Sequence, residues 1–313
     1  MPIPEKLNRP FLCYTGIETD LIFNQGIELP GFATFPLLET EEGRSLLKKS
    51  YMAQVTLARE MGCGVMFESA TWVANRDRAA KLGYGPNRLE QINIDAIQFI
   101  RELSDNVGDV PIVLSAQVGP RGDGYKPDHH MDGYKPDHHM DDEEAQLYHS
   151  VQMAHLAKAK PDIVSAFTIS YPEEAIGIVR AAEHSKLPVA ISFTVETDGL
   201  LPTGMPLGEA LDAVDAATDQ YAEYFLINCA HPEHFLPNLN DGPWIERLAG
   251  VVVNASRCSH AELDNATELD DGDPKELGTY LGLIKNTYPH MHIFGGCCGA
   301  DMRHMREIAK AVS

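Results

Sequence analysis

Residues 163–193 read IVSAFTISYPEEAIGIVRAAEHSKLPVAISF. Ile163–Ile169 is a continuous apolar and β-branched run, Pro172–His184 has a helical pattern, and Pro188–Phe193 is a second apolar run. A strand, a helix and a strand in that order imply parallel pairing, because parallel neighbours need a long crossover. Runs that are apolar throughout, rather than alternating, belong to strands covered on both faces.

The same unit recurs on either side. Toward the N-terminus, Phe11–Tyr14 precedes a helical stretch at Glu42–Met61, and Gly64–Phe67 precedes one from about Asn87 to Leu103. Pro111–Val118 leads to Glu143–Lys160. Toward the C-terminus, Leu207–Thr218 follows the fifth run and Tyr224–Asn228 leads to His231–Leu248. Val251–Asn254 is followed by Pro274–Thr287, and His292–Gly295 by Asp301–Val312. Eight strand–helix units predict an α/β fold, a closed (β/α)₈ barrel of the TIM type, as one domain over residues 1–313. The competing open doubly wound sheet often opens on a G-x-G-x-x-G turn, and none follows the first run.

Composition supports this and narrows the partners. Of 313 residues, 44% are hydrophobic, enough for a large core. With 25 basic against 46 acidic residues the net charge is -21, which argues against nucleic acid or an anionic membrane as partner. No apolar run reaches the roughly 20 residues of a membrane span, and MPIPEKLNRP has no apolar signal core. Six cysteines, two of them adjacent, do not form a disulfide framework, so reduced thiols and a cytoplasmic location are expected. Assembly into a homo-oligomer is left open.

One segment breaks the regularity. GYKPDHHMD occurs at 124–132 and again at 133–141, inside a lengthened loop at about 119–142 after the third strand. Gly, Pro and Asp keep it out of regular structure, so it is expected to overhang the C-terminal face of the barrel. Its histidines (His129, His130, His138, His139) with Asp128 and Asp137 form a set able to bind metal, or a duplicated surface loop with solvated imidazoles.

Barrel sites gather at the C-terminal ends of the strands, which brings three cysteines into view. Cys229 follows Asn228 in INCAHP, and Cys297 and Cys298 follow the eighth strand in FGGCCGAD. Three thiolates suit tetrahedral zinc and leave a fourth position for substrate. Glycines before the pair would let the backbone pass closely under a metal. The spacing alone equally allows a buried hydrophobe at Cys229 and a turn at Cys297–Cys298. Cys13, Cys63 and Cys258 read as packing residues.

GGCC at 295–298 and NCAHP at 228–232 together resemble the zinc-dependent homocysteine S-methyltransferases. The likeness extends to GIETDLIF (16–23), VGPRGDGY (118–125), EEAIGIVRAA (173–182), ISFTVETDGLLPTG (191–204) and NASRCSHAELD (254–264). It implies a (β/α)₈ barrel with Zn²⁺ on Cys229, Cys297 and Cys298. It also implies methyl transfer from a small donor to a metal-bound thiolate, homocysteine by default, giving methionine. A free thiol of pKa near about 8.5 is mostly protonated at neutral pH, and zinc removes that proton. No protein nucleophile is needed. Polar residues at the mouth (Glu68, Gln117, Thr168, Glu196 and Asn228) are expected to shape the pocket or to make supporting hydrogen bonds.

The chain departs from that family at two places. The family's first strand ends Asp-Gly-Gly and its fourth carries Glu-Thr, both acids serving the amino group of homocysteine. The matching residues are Tyr14-Thr15-Gly16 and Phe167-Thr168. Either another acid (Glu18, Glu68 or Glu196) takes the ammonium, or the thiol lacks it. Among betaine-like, sulfonium and folate donors, a one-barrel chain favours a small donor used directly, a sulfonium first. Two other classes are weighed: a zinc hydrolase, disfavoured by three thiolates and no H-E-x-x-H, and a metal-handling or thiol redox-sensing protein.

Overall fold

The eight strands close in sequence order, every neighbouring pair parallel and the last strand hydrogen-bonded back to the first. They are β1 Phe11–Tyr14, β2 Gly64–Glu68, β3 Ile112–Val118, β4 Ile163–Ile169, β5 Val189–Phe193, β6 Tyr224–Asn228, β7 Leu248–Val253 and β8 Ile293–Gly296. This is the closed α/β barrel expected from the alternation of apolar runs and helices. The computed structural model describes residues 8–122, 124, 139–239 and 242–313. Most of the duplicated GYKPDHHMD loop, with His129, His130, His138, Asp128 and Asp137, lies outside the described residues. Among the described residues no helix is long and apolar enough to cross a membrane.

Each strand is followed by a helix, with shorter ones besides: α1 Glu41–Met61, α2 Pro86–Asp105, α3 Asp142–Ala159, α4 Pro172–His184, α5 Leu207–Ala217, α6 Pro232–Phe235, α7 Pro274–Thr287 and α8 Met302–Val312. Local chemistry sets their ends. Thr40 and Asp141 accept backbone N–H bonds at the starts of α1 and α3, and Gly62 closes α1 at φ 69°. The expected helix His231–Leu248 is corrected. Among the described residues of that stretch only Pro232–Phe235 is α-helical, followed by 3₁₀ turns at Leu236–Asn238 and Pro243–Arg247. Pro237 and Pro243 remove N–H donors and crowd the preceding turn, so one helix cannot pass through them.

Strand pleating sorts side chains into two layers. Phe11 and Cys13 of β1 join Met66, Val113, Phe167 and Tyr224 in the barrel interior. Leu12 and Tyr14, from the same strand, join the cluster between strands and helices. The seam where β8 meets β1 is very close. Cys13 pairs with Gly295 in register, and a Cβ on Gly295 would overlap the carbonyl oxygen of Cys13. Gly295 therefore serves barrel closure, whereas a Cβ on Gly296 would meet the side chain of Ala300.

Candidate metal and substrate site

β6 ends at Asn228 and β8 at Gly296, so Cys229, Cys297 and Cys298 emerge together at the C-terminal mouth. Their sulfur atoms all lie within 4.8 Å of one another, with Cys229 and Cys297 buried and Cys298 half-buried. Cys229 Sγ stands 4.0 Å from Cys298 Sγ. Cys229 and Cys297 stand sulfur against sulfur, their Cα atoms 5.5 Å apart. The convergence that lets three thiolates hold one cation also lets two of them couple by oxidation. Metal–sulfur bonds of about 2.3 Å place tetrahedral ligands roughly 3.8 Å apart, so the three, as thiolates, fit one small soft ion.

Cys229 occupies this place through a left-handed backbone at φ 53°, unusual for a residue with a side chain. Its carbonyl oxygen accepts from Asn254 Nδ2 at 3.0 Å and His260 Nε2 at 2.9 Å, which stabilises the turn. His260 Nδ1 in turn faces Glu196 at 3.2 Å. Thr168 is also left-handed, at φ 65°. Asn228 braces it: Oδ1 accepts from Thr168 N at 2.9 Å and Ser192 Oγ at 2.7 Å, and Nδ2 donates to Thr168 Oγ1. The Thr168 hydroxyl then lies 3.8 Å from Cys229 Sγ. Sequence patterns do not reveal His260 or Asn254 as supports, because their partner is a backbone carbonyl far along the chain.

The other residues singled out in the sequence are dispersed. Tyr14 points into the helical layer and donates to Ala300 O at 3.1 Å. Thr15 is buried, its hydroxyl without a hydrogen bond among the described residues. Glu18 is buried beside Thr34, which donates to it at 3.0 Å, and desolvation raises its pKa to about 7. Phe167 fills the barrel interior. Gln117 is buried, and its carbonyl accepts from Thr71 Oγ1. Cys13 and Cys63 are buried as expected, whereas Cys258 is half-exposed with its thiol 3.7 Å from Asp270 Oδ2. It sits in a loop beyond β7 with no layer to pack into.

Above the cysteines lies a cavity of 270 Å³ walled by Phe32, Trp72, Arg78, Thr168 and Asp264. A second, of 260 Å³, adjoins it at Cys298 and is bounded by Phe23, Glu268 and Asp270. Neither Tyr14, Glu18, Glu68, Phe167 nor Glu196 lines either cavity. Trp72 and Arg78 come from a segment read in the sequence only as a loop after the second strand. Its short helix, Arg76–Lys81, is capped by Asn75. An arginine near a strand end in so acidic a chain was the available signal.

Glu68 closes the barrel interior below the mouth. Its Oε1 accepts from Cys13 Sγ at 3.8 Å and its Oε2 is buried without a partner among the described residues. Desolvation raises its pKa to about 8. The unfolded carboxyl ionises near about 4.3, so between there and about 8 the unfolded chain sheds a proton that the folded chain keeps. This contribution to stability is therefore lost as pH rises through that window. In metal-free, reduced protein, Glu68→Gln is expected to be more stable than wild type at pH 8, by an amount on the order of a few kcal/mol. The two should converge near pH 4. Parallel pH profiles of the denaturation midpoint would refute this placement.

The residue pattern of the homocysteine S-methyltransferase family matches residues 59–312. No curated protein matches the chain. Among solved structures, the chain is similar to the homocysteine methyltransferase MmuM from Escherichia coli. Its oxidized form superposes with a TM-score of 0.72 at 18% identity, over 100% of this chain and 98% of that one. Its metallated form gives 0.70 at 16% identity, over 97% and 96%. These likenesses speak for the fold, and the family match covers most of the barrel and all three convergent cysteines. The chain belongs to the homocysteine S-methyltransferase family and is an S-methyltransferase.

Proposed function

We propose that the protein transfers a methyl group from a small cationic donor to the sulfur of homocysteine, with zinc as its resident metal. The carrying observation is the convergence of Cys229, Cys297 and Cys298 under a cavity in a barrel of this family. Zinc on three thiolates supplies the acidity that deprotonates a bound thiol while leaving its sulfur electron-rich enough to attack carbon.

The remaining work falls to the chain. Cys298, the least buried of the three, borders both cavities, so a thiol in one and a methyl donor in the other meet beside it. Holding two reactants in line supplies a large share of a bimolecular barrier. Phe23, Glu268 and Asp270 give the second cavity an aromatic edge and negative charge, which suits a sulfonium or ammonium donor over an anionic folate. Asn228 and Thr168 fix the floor of the first cavity through their paired hydrogen bonds. The protein's partners are then small molecules, and its thiolates stay reduced in a cytoplasm.

Zinc-loaded, reduced protein is expected to convert homocysteine to methionine with S-methylmethionine as donor, followed by mass spectrometry. Chelation should stop the reaction and zinc should restore it. Undiminished turnover after complete metal removal would sink the reading. A reversible Cys229–Cys297 disulfide in a protein that methylates no thiol would instead favour the redox-sensing class.

A further inference from the structure

The acids that serve the amino group elsewhere in this family are Tyr14 and Phe167 here; Tyr14 points into the helical layer, and Phe167, packed in the same interior cluster as Cys229 and Cys297, does not line the cavity above them. Glu18 and Glu68 are buried among other partners, and Glu196 faces His260. Yet the described lining of that cavity contains one cation and one anion, Arg78 and Asp264. They come from different elements. Arg78 lies in the short helix after β2, and Asp264 ends the short helix His260–Asp264 after β7.

Arg78 is held in place by three kinds of contact. Its backbone N–H bonds to the Asn75 cap, and its Nη2 donates to Gly122 O at 2.8 Å. Its guanidinium lies 5.5 Å from the centre of the Trp72 ring. Trp72 is itself pinned, its indole N–H donating to Phe167 O at 3.2 Å. The fourth-strand residue that bears an acid in the family thus contributes its carbonyl to the platform that seats a cation. A half-buried, oriented guanidinium suits a carboxylate, which it can bind through two parallel hydrogen bonds. Asp264 is exposed at the rim, on the wall shared with the second cavity. An ammonium placed there stays partly hydrated, so a single carboxylate serves it where a buried ammonium would need more.

We propose that Arg78 and Asp264 form the amino-acid clamp of this enzyme, Arg78 taking the α-carboxylate of the acceptor thiol and Asp264 its α-ammonium. This rests on the assignment of homocysteine as acceptor and replaces the lost pair of acids by a pair of opposite charges at the cavity's edges. The mercapto-acid alternative left open by the sequence makes the opposite prediction, that Asp264 has no part in binding the acceptor.

The test compares homocysteine with its deaminated analogue mercaptobutanoate and its decarboxylated analogue aminopropanethiol. Both kcat/KM and calorimetric Kd are measured on zinc-loaded wild type, Arg78→Met, Arg78→Lys and Asp264→Asn. Wild type should prefer homocysteine to both analogues. Arg78→Met should weaken homocysteine about 30-fold while changing aminopropanethiol less than about threefold, as expected for one charge-assisted pair. Arg78→Lys should recover part of that loss. Asp264→Asn should weaken homocysteine about fivefold and leave mercaptobutanoate unchanged. Equal losses for all three thiols in Arg78→Met, or an Asp264→Asn effect confined to the donor's KM, would overturn the clamp. If the selectivity pattern holds in the calorimetric Kd while no thiol is methylated, the clamp stands and the proposed reaction fails. If homocysteine is methylated with no charge preference, the reverse holds.

Discussion

Cys298→Ser is expected to leave the barrel folded while lowering bound zinc well below one ion per chain and kcat/KM by roughly 10³-fold or more. Groups supporting a metal ligand typically cost about 10- to 100-fold when removed, and a ligand itself should exceed that. Two features separate loss of the site from loss of the fold. Cys298 is half-buried, so its sulfur contributes little to the core. Its carbonyl, which accepts from Ala255 N at 3.1 Å, is untouched by a side-chain change. Serine is nearly the same size but is not a thiolate at neutral pH, and Cys229 and Cys297 alone make a poor site for the ion. The check is metal content by mass spectrometry beside methyl transfer and circular dichroism. Retention of one zinc per chain with activity within tenfold of wild type would remove Cys298 from the ligand set. Cys258→Ser, on a half-exposed loop, should change neither readout.

Gly295→Ala is expected to act on the whole molecule. The added Cβ would overlap the carbonyl oxygen of Cys13 across the β1–β8 pairing. No rotamer can relieve a clash between a Cβ and a backbone oxygen, so the two strands must separate. That separation falls at the seam closing the barrel, where Phe11, Leu12, Cys13 and Tyr14 all pair with β8. Overpacking commonly costs about 1–3 kcal/mol, and a clash against backbone should exceed that range. The variant should either fail to accumulate as soluble protein or melt about 8 °C lower or more, at roughly 2–4 °C per kcal/mol for a chain of this size. Gly85→Ala provides the control: its Cβ would meet nothing within 4 Å, and its backbone conformation is open to any residue. A Gly295→Ala protein melting within a degree or two of wild type would mean that the seam has slack.

Helix and strand order was legible because it depends on local periodicity. The run of Ile163–Ile169, Pro172–His184 and Val189–Phe193 stands nearly where its apolar pattern placed it. Failure came where proline overrode an apolar pattern, at Pro237 and Pro243. The convergence of the cysteines was legible too, once a barrel was inferred, because strand ends in that fold share one mouth. The walls around them were not. Tyr14 and Phe167 were assigned by register to the mouth, but pleating turns Tyr14 outward, and Phe167 packs in the interior cluster with Cys229 and Cys297 without lining the cavity.

The amino-acid sequence by itself therefore determined the barrel, most element boundaries to within a few residues outside the stretch after β6, and the set of sulfurs at its mouth. Each of these follows from a short repeat or from spacing along one chain. Only the tertiary structure decided which side chains face those sulfurs. Phe32, Trp72, Arg78 and Asp264 reach the cavity from the irregular segments after β1, β2 and β7, which hold only short helical turns. No periodicity governs a loop, and its path is set by long-range contacts such as Trp72 to Phe167 and Arg78 to Gly122. The same holds for the glycines before Cys297. Their number was plain in the sequence, but the need for Gly295 depends on how near Cys13 of β1 approaches, which closure of the barrel alone fixes.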